Sequence, residues 1–114
     1  NDTHGHSAGD LCLQAVAACV QDSIRGSDLL FRAGGEEFLV LLSQTTLEGA
    51  TQLAERIRSH VENLSLNSIG EHRLTVSLGV TETLPEDSVQ SLYERGDRAL
   101  YQAKNRGRNR VEVL

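Results

Sequence analysis

The segment Phe31-Arg-Ala-Gly-Gly-Glu-Glu-Phe-Leu-Val-Leu-Leu42 leaves the chain little choice of local structure. Apolar runs flank its middle, Leu29 to Ala33 and Phe38 to Leu42, and their length and residue types are those of strands that pack into a core. The four residues between them must reverse the chain. Gly34 and Gly35 reach φ > 0 without the penalty of a Cβ, so a tight hairpin is the expected outcome. Turning does not explain Glu36 and Glu37. Two adjacent carboxylates at a strand start repel each other unless water or a cation offsets them.

Around the hairpin the hydrophobic periodicities alternate between helix and strand. Residues 1 to 9 read as a polar loop, and Leu11 to Ile24 is dense enough in Ala, Val and Cys to be a largely buried helix. Arg25-Gly26-Ser27-Asp28 breaks it. After the hairpin, Thr45 with Glu48 three residues on reads as a capping box. Leu47, Ala50, Leu53, Ala54, Ile57, Val61 and Leu64 then trace an amphipathic helix. A turn is expected over Asn67 to Glu71, and a strand where Leu74, Val76, Leu78 and Val80 alternate with Thr75, Ser77 and Gly79. A helix follows from Ser88, Gly107 ends it, and a last strand covers Arg110 to Leu114. The expected order is helix, strand, strand, helix, strand, helix, strand.

Bulk properties narrow the function. A chain of 114 residues suits one domain, 1–114, with one modest core. Its net charge of -5 argues against a general nucleic-acid or anionic-membrane binder. Lys104, Arg106, Arg108 and Arg110 nevertheless form a local basic cluster, which keeps an anion site open. No apolar run approaches membrane-spanning length and no signal sequence is visible, so a cytoplasmic domain without membrane contact is expected, with the parent protein free to be membrane-anchored. Cys12 and Cys19 on one helix lie about 10 Å apart along its axis, too far for a disulfide, and read as small core residues in a reducing compartment. His4 and His6 lack a companion Cys or carboxylate cluster and read as loop hydrogen-bonding groups rather than zinc ligands. The chain opens on Asn1 rather than Met, so a longer parent protein is expected.

Five ordered blocks now stand out: Asn1-Asp2-x-x-Gly5-His6-x-x-Gly9-Asp10, Arg25-x-x-Asp28, Gly34-Gly35-Glu36-Glu37-Phe38, Val76-Ser77-Leu78-Gly79, and Asp97-x-Ala99-Leu100-Tyr101-x-Ala103-Lys104-x-x-Gly107-Arg108-Asn109. Together they resemble the GGDEF diguanylate cyclase domains, in the GGEEF form of the signature, over essentially the whole chain. The resemblance implies an α+β fold of the ferredoxin-like, nucleotidyl-cyclase-palm type, a central, mostly antiparallel sheet flanked by helices. It also implies a first strand, with an Asp-x-Asp-like pair carrying the first metal aspartate, ahead of residue 1 and missing here. Burying that strand's side chains would contribute about 1.5 to 3 kcal/mol each, so a chain without it is expected to be marginal and to exchange strands or pair sheet edges in a dimer. Gly96 departs from the family's usual Ala.

The implied reaction joins two GTP molecules into cyclic di-GMP and pyrophosphate: one 3'-hydroxyl attacks the other's α-phosphate, with Mg²⁺ (or Mn²⁺) screening the triphosphate. By resemblance Glu36 is the remaining metal ligand, Glu37 supports charge balance or proton transfer, and Gly34 and Gly35 admit the nucleotide to the backbone. Asn1 and Asp10 match the guanine readers, although Asp10 could equally cap a helix. Lys104 and Arg108 match the phosphate-contacting pair, although a helix C-terminus also attracts cations. Arg25 and Asp28 match the inhibitory cyclic di-GMP site, with Arg56 as a second contact from a neighbouring subunit or simply a solvated charge. The implied partners are GTP, cyclic di-GMP, a second copy in a two-fold homodimer, and an upstream sensory or regulatory domain. The alternative is a non-catalytic module of the same fold that binds GTP or cyclic di-GMP, favoured by the missing strand; an unrelated ferredoxin-like fold would show no guanine preference.

Overall fold

The computed structural model describes residues 3–68 and 74–114, and the side chains of 11–64 and 74–114. Its elements are α1 (Thr3–Ser23), β1 (Leu29–Gly34), β2 (Glu37–Leu41), α2 (Leu47–Ser68), β3 (Leu78–Val80), α3 (Val89–Asn105) and β4 (Val111–Val113), in the order read from the sequence. They fall into two compact units, residues 1–44 and 45–114. Asn1 and residues 69–71 of the expected turn lie outside the described residues.

In the first unit α1 begins earlier than expected. The polar stretch from Thr3 to Gly9 is helical rather than a loop, because no proline blocks it and each residue added to a nucleated helix gains a hydrogen bond. Asp10 therefore sits within α1 rather than capping it. Val16, Cys19 and Val20, spaced by three and four, are its buried stripe. Burial pushes the Cys19 thiol pKa up, assisted by the nearby Asp22 carboxylate, which keeps the thiol protonated. Cys12 and Cys19 are both free.

β1 and β2 form an antiparallel ladder pairing Leu29 with Leu41, Leu30 with Val40, Phe31 with Leu39 and Arg32 with Phe38. The register slips between Arg32 and Gly34, so Ala33 is an extra residue and the chain bulges just before the turn. Both runs were expected to be buried, yet Leu29, Phe31 and Leu41 are 51%, 46% and 41% exposed. A two-stranded ladder carries more apolar surface than its own side chains can cover.

The core of the second unit is built from Ala54, Ile57 and Val61 of α2, Val80 of β3, and Ala99 and Ala103 of α3. α2 starts one residue later than the capping box predicted. Thr46, not Thr45, is the cap: its hydroxyl accepts a hydrogen bond from Gly49 N–H at 3.0 Å. Ser88 caps α3, accepting from Ser91 N–H at 3.1 Å while Ser91 Oγ accepts from Ser88 N–H at 2.9 Å. A helix links β3 to β4, and such a crossover returns the chain in the same direction. The pair is accordingly parallel, so the described residues of this α+β fold hold an antiparallel ladder in the first unit and a parallel one in the second. β3 spans three residues where seven were expected, because β4 is only three residues long and the turn before it leaves the ladder.

Strand and helix meet most closely at Gly79. A Cβ there would lie 2.3 Å from Leu100 N and 2.6 Å from Gly96 O, so only glycine allows α3 to seat on β3. At Gly96 a Cβ would meet Thr81 Cγ2 at an ordinary 3.7 Å. Arg95 secures the loop between β3 and α3. Its guanidinium donates to Thr81 Oγ1 at 2.7 Å, Glu82 O at 2.8 Å and the Asp87 carboxylate, and these bonds hold Asp87 far below the usual carboxylate range.

Candidate active site

The hairpin turn is built to expose a carboxylate. Gly34 has φ 147° and Gly35 φ 52°, both in the region where glycine alone is unstrained, and a Cβ on either would point into open space. Arg32 closes the turn from within: its Nε and Nη2 donate to Gly35 O at 2.9 and 2.6 Å. Glu36 is exposed at the apex and makes no hydrogen bond or ion pair with any described residue. Glu37 begins β2, opposite Gly34, and is half-buried. Gly34, Gly35, Glu36 and Glu37 therefore share one acidic bend, the hairpin turn that the two glycines predicted.

Asp28 holds the other end of the hairpin. Its carboxylate accepts from Arg25 N–H at 2.9 Å and Ser43 N–H at 3.0 Å, and takes longer bonds from the Arg25 guanidinium at 3.4 and 3.5 Å. One buried side chain thus ties the residues ahead of β1 to those after β2. The backbone bonds from Arg25 and Ser43, with the guanidinium behind them, hold the Asp28 pKa below the usual carboxylate range. Arg25 also donates to Ser43 O. Its side chain stays 59% exposed while that of Asp28 is 2% exposed. Arg25 and Asp28 are thus together, with the aspartate already engaged by the protein.

In the second unit, α3 delivers Lys104 to its last turn and hands the chain to Gly107, Arg108 and Asn109. The helix closes with Arg108 N–H donating to Ala103 O at 2.9 Å, the long bond of a Schellman-type end. Three consecutive residues then have positive φ: Gly107 at 123°, Arg108 at 62° and Asn109 at 47°. Arg108 is exposed and its side chain has no partner among the described residues; Lys104 is half-buried. Arg56 lies exposed on α2. The Asp10 side chain, like Asn1, lies outside what is described.

Sequence reasoning missed a network on α2. Arg58 Nη1 donates to Asn109 Oδ1 at 3.0 Å and to Glu62 Oε1 at 3.2 Å, while Asn109 Nδ2 donates to Glu62 Oε2 at 2.9 Å. Asn109 N–H donates to Ser77 Oγ at 3.1 Å. Glu55 binds Arg58 from the other side; that bond, reinforced by Glu62, raises the arginine's pKa further and lowers that of Glu55. The available signal was the four-residue spacing of Arg58 and Glu62 on one helix face, which reads as an ordinary surface pair.

The described residues hold no cluster of three or more His, Cys, Asp or Glu side chains, so no all-protein metal cage is present among them. An exposed carboxylate on a tight turn, with open backbone beside it, fits the other mode of Mg²⁺ binding, in which phosphate oxygens and water supply the remaining ligands. No helix among the described residues is long and apolar enough to cross a membrane.

The family model for "Diguanylate cyclase, GGDEF domain" matches residues 1–110, and the chain belongs to that family. It is 49% identical over 111 residues to diguanylate cyclase DgcM of Escherichia coli K12, covering 97% of this chain and 27% of that protein. It is 44% identical over 115 residues to diguanylate cyclase A of Treponema denticola, covering 99% of this chain and 31% of the relative. The chain therefore spans less than a third of the length of these relatives. Among solved structures, the coiled coil and GGDEF domain of DgcB from Caulobacter crescentus in complex with c-di-GMP superposes with a TM-score of 0.90 at 32% identity, covering all of this chain and 62% of that one.

Proposed function

We propose that this domain, within its parent protein, condenses two GTP molecules into cyclic di-GMP and pyrophosphate as a two-fold pair, each copy bringing one nucleotide. The observation that carries the reading is Glu36, an exposed carboxylate without a protein partner among the described residues, on a turn whose two glycines leave the backbone open.

In this reading Glu36 holds Mg²⁺ or Mn²⁺ together with the triphosphate. The ion, when bound, screens phosphate charge and acidifies the attacking hydroxyl. Glu37 balances charge beside it, Gly34 and Gly35 let the nucleotide pass close to the backbone, and Asn1 and Asp10 read guanine with an amide and a carboxylate. Lys104 and Arg108 neutralise the phosphates. Arg25 with Asp28, and Arg56 of a second copy, bind the product and restrain the enzyme. For that site Arg25 is the more exposed partner, since its side chain is 59% exposed and that of Asp28 2%. A sensory or regulatory domain upstream governs when two copies meet.

The test is conversion of GTP to cyclic di-GMP by the intact protein with Mg²⁺, scored against ATP and against the Glu36→Ala variant. Turnover of GTP alone, lost in the variant, supports the cyclase. Tight binding of GTP or cyclic di-GMP without turnover would instead establish the non-catalytic binding module.

A further inference from the structure

The turn after α3 stands on side chains that the proposed chemistry leaves unused. Asn109 is held at three polar atoms: its side-chain carbonyl accepts from Arg58, its side-chain amide donates to Glu62, and its backbone N–H donates to Ser77. Arg58 and Glu62 are themselves paired, and their side chains are only 18% and 24% exposed. The neighbouring Arg108 keeps a backbone conformation that arginine disfavours, φ 62°, while its guanidinium has no partner among the described residues. Sterically disfavoured backbone of this kind persists only where its surroundings over-determine it.

We propose that Arg58 and Glu62, acting through Asn109, are positioning residues that set where Arg108 and Lys104 meet the triphosphate. The inference rests on the reading of Lys104 and Arg108 as the phosphate-contacting pair. Asn109 suits the left-handed backbone and fixes its amide plane at both ends, so the turn is aimed by α2 rather than by α3 alone. Charge is managed in the same arrangement. Glu62 accepts with Oε1 from Arg58 and with Oε2 from Asn109, which turns both carboxylate oxygens toward the protein rather than toward an incoming phosphate. Glu55 gives Arg58 a second anchor and keeps its guanidinium from swinging away.

The test measures dissociation constants of the intact protein for GTP and for GMP with Mg²⁺, alongside thermal unfolding. Asn109→Gly keeps the positive φ accessible and deletes only the amide. It should weaken GTP binding about ten-fold while changing GMP binding by less than about two-fold, because only misplaced phosphate contacts distinguish the two ligands. Asn109→Asp sets a second carboxylate against Glu62 and should do the same. Adding Glu62→Gln to Asn109→Asp reverses the polarity of that hydrogen bond, leaves the net charge at its original value, and should restore GTP binding. The inference is overturned if GTP and GMP affinities fall together, if Asn109→Gly binds GTP as well as the unmodified protein while Arg108→Ala does not, or if the double variant shows no recovery. If Arg108→Ala and Lys104→Ala both leave GTP affinity unchanged, the reading of the phosphate site itself fails, and the inference with it.

Discussion

The two turns that carry the candidate chemistry are stabilised in opposite ways. The bend at Gly34–Glu37 reaches its positive φ angles with glycines, needs one arginine to close it, and leaves Glu36 without a partner among the described residues. The bend at Gly107–Asn109 forces two non-glycine residues into the same backbone region and secures them with Arg58, Glu62 and Ser77. In the proposed reading Glu36 stays unsatisfied until a cation arrives, and the scaffold that presents it is local. In the same reading Arg108 is a cation to be aimed at phosphate, and the scaffold of its turn reaches to another helix.

The contrast can be broken most sharply at Glu36. Glu36→Ala in the intact protein should reduce cyclic di-GMP synthesis by at least about a hundred-fold. It should leave stability within about 0.5 kcal/mol, because the side chain is exposed and has no partner among the described residues. Product formation read beside a urea melt separates the two effects; a destabilised Glu36→Ala would mean that the bend is not independent of its carboxylate.

Arg108→Gly tests the opposite bend. Glycine relieves a left-handed backbone that costs a larger residue about 1 kcal/mol, so the variant should unfold at equal or higher urea while GTP affinity falls. Lower stability would show that the backbone there is not under strain.

Acid reaches the base of the hairpin through Asp28, whose pKa is lowered in the folded protein. Between that lowered value and the unfolded value near 3.9, the unfolded chain binds more protons, so stability rises with pH through this window. The contribution is complete above about pH 5 and is lost as the pH falls further. Asp87 adds a loss of the same sign. Asp28→Asn should therefore melt earlier at neutral pH and show a shallower decline in acid, measured by thermal melts from neutral to acid pH.

The smallest expected effect lies away from both turns. Gly96→Ala should stabilise the protein by up to about 1 kcal/mol, since a Cβ there meets only Thr81 at contact distance and alanine favours the helix.

Much of this was legible in the sequence because it depends on local chemistry. Periodicity located the seven elements of the described residues in order, Gly34-Gly35 announced the hairpin, and Gly107 marked the end of α3. What depends on partners was not legible. Whether β3 ran three residues or seven was decided by the length of β4, and its parallel pairing by the helix between them. Thr45 and Thr46 are both competent caps, and the choice between them followed where α2 began. The same limit applied to the site. Glu36 could be singled out from its neighbours, whereas Arg58 and Asn109 are far apart in the chain and become one unit only when α2 passes the end of α3.

Gly79 bears on all of this without a functional group of its own. Where strand and helix touch main chain to main chain, no rotamer can change to absorb a slip, so α3 is indexed on β3 like a key in a slot. Lys104 sits one turn beyond Leu100, the residue that Gly79 abuts, and so inherits its coordinates from an atom that is not there. A methyl group added at Gly79 would lift α3 off β3, moving Lys104 and loosening the second unit in the same stroke.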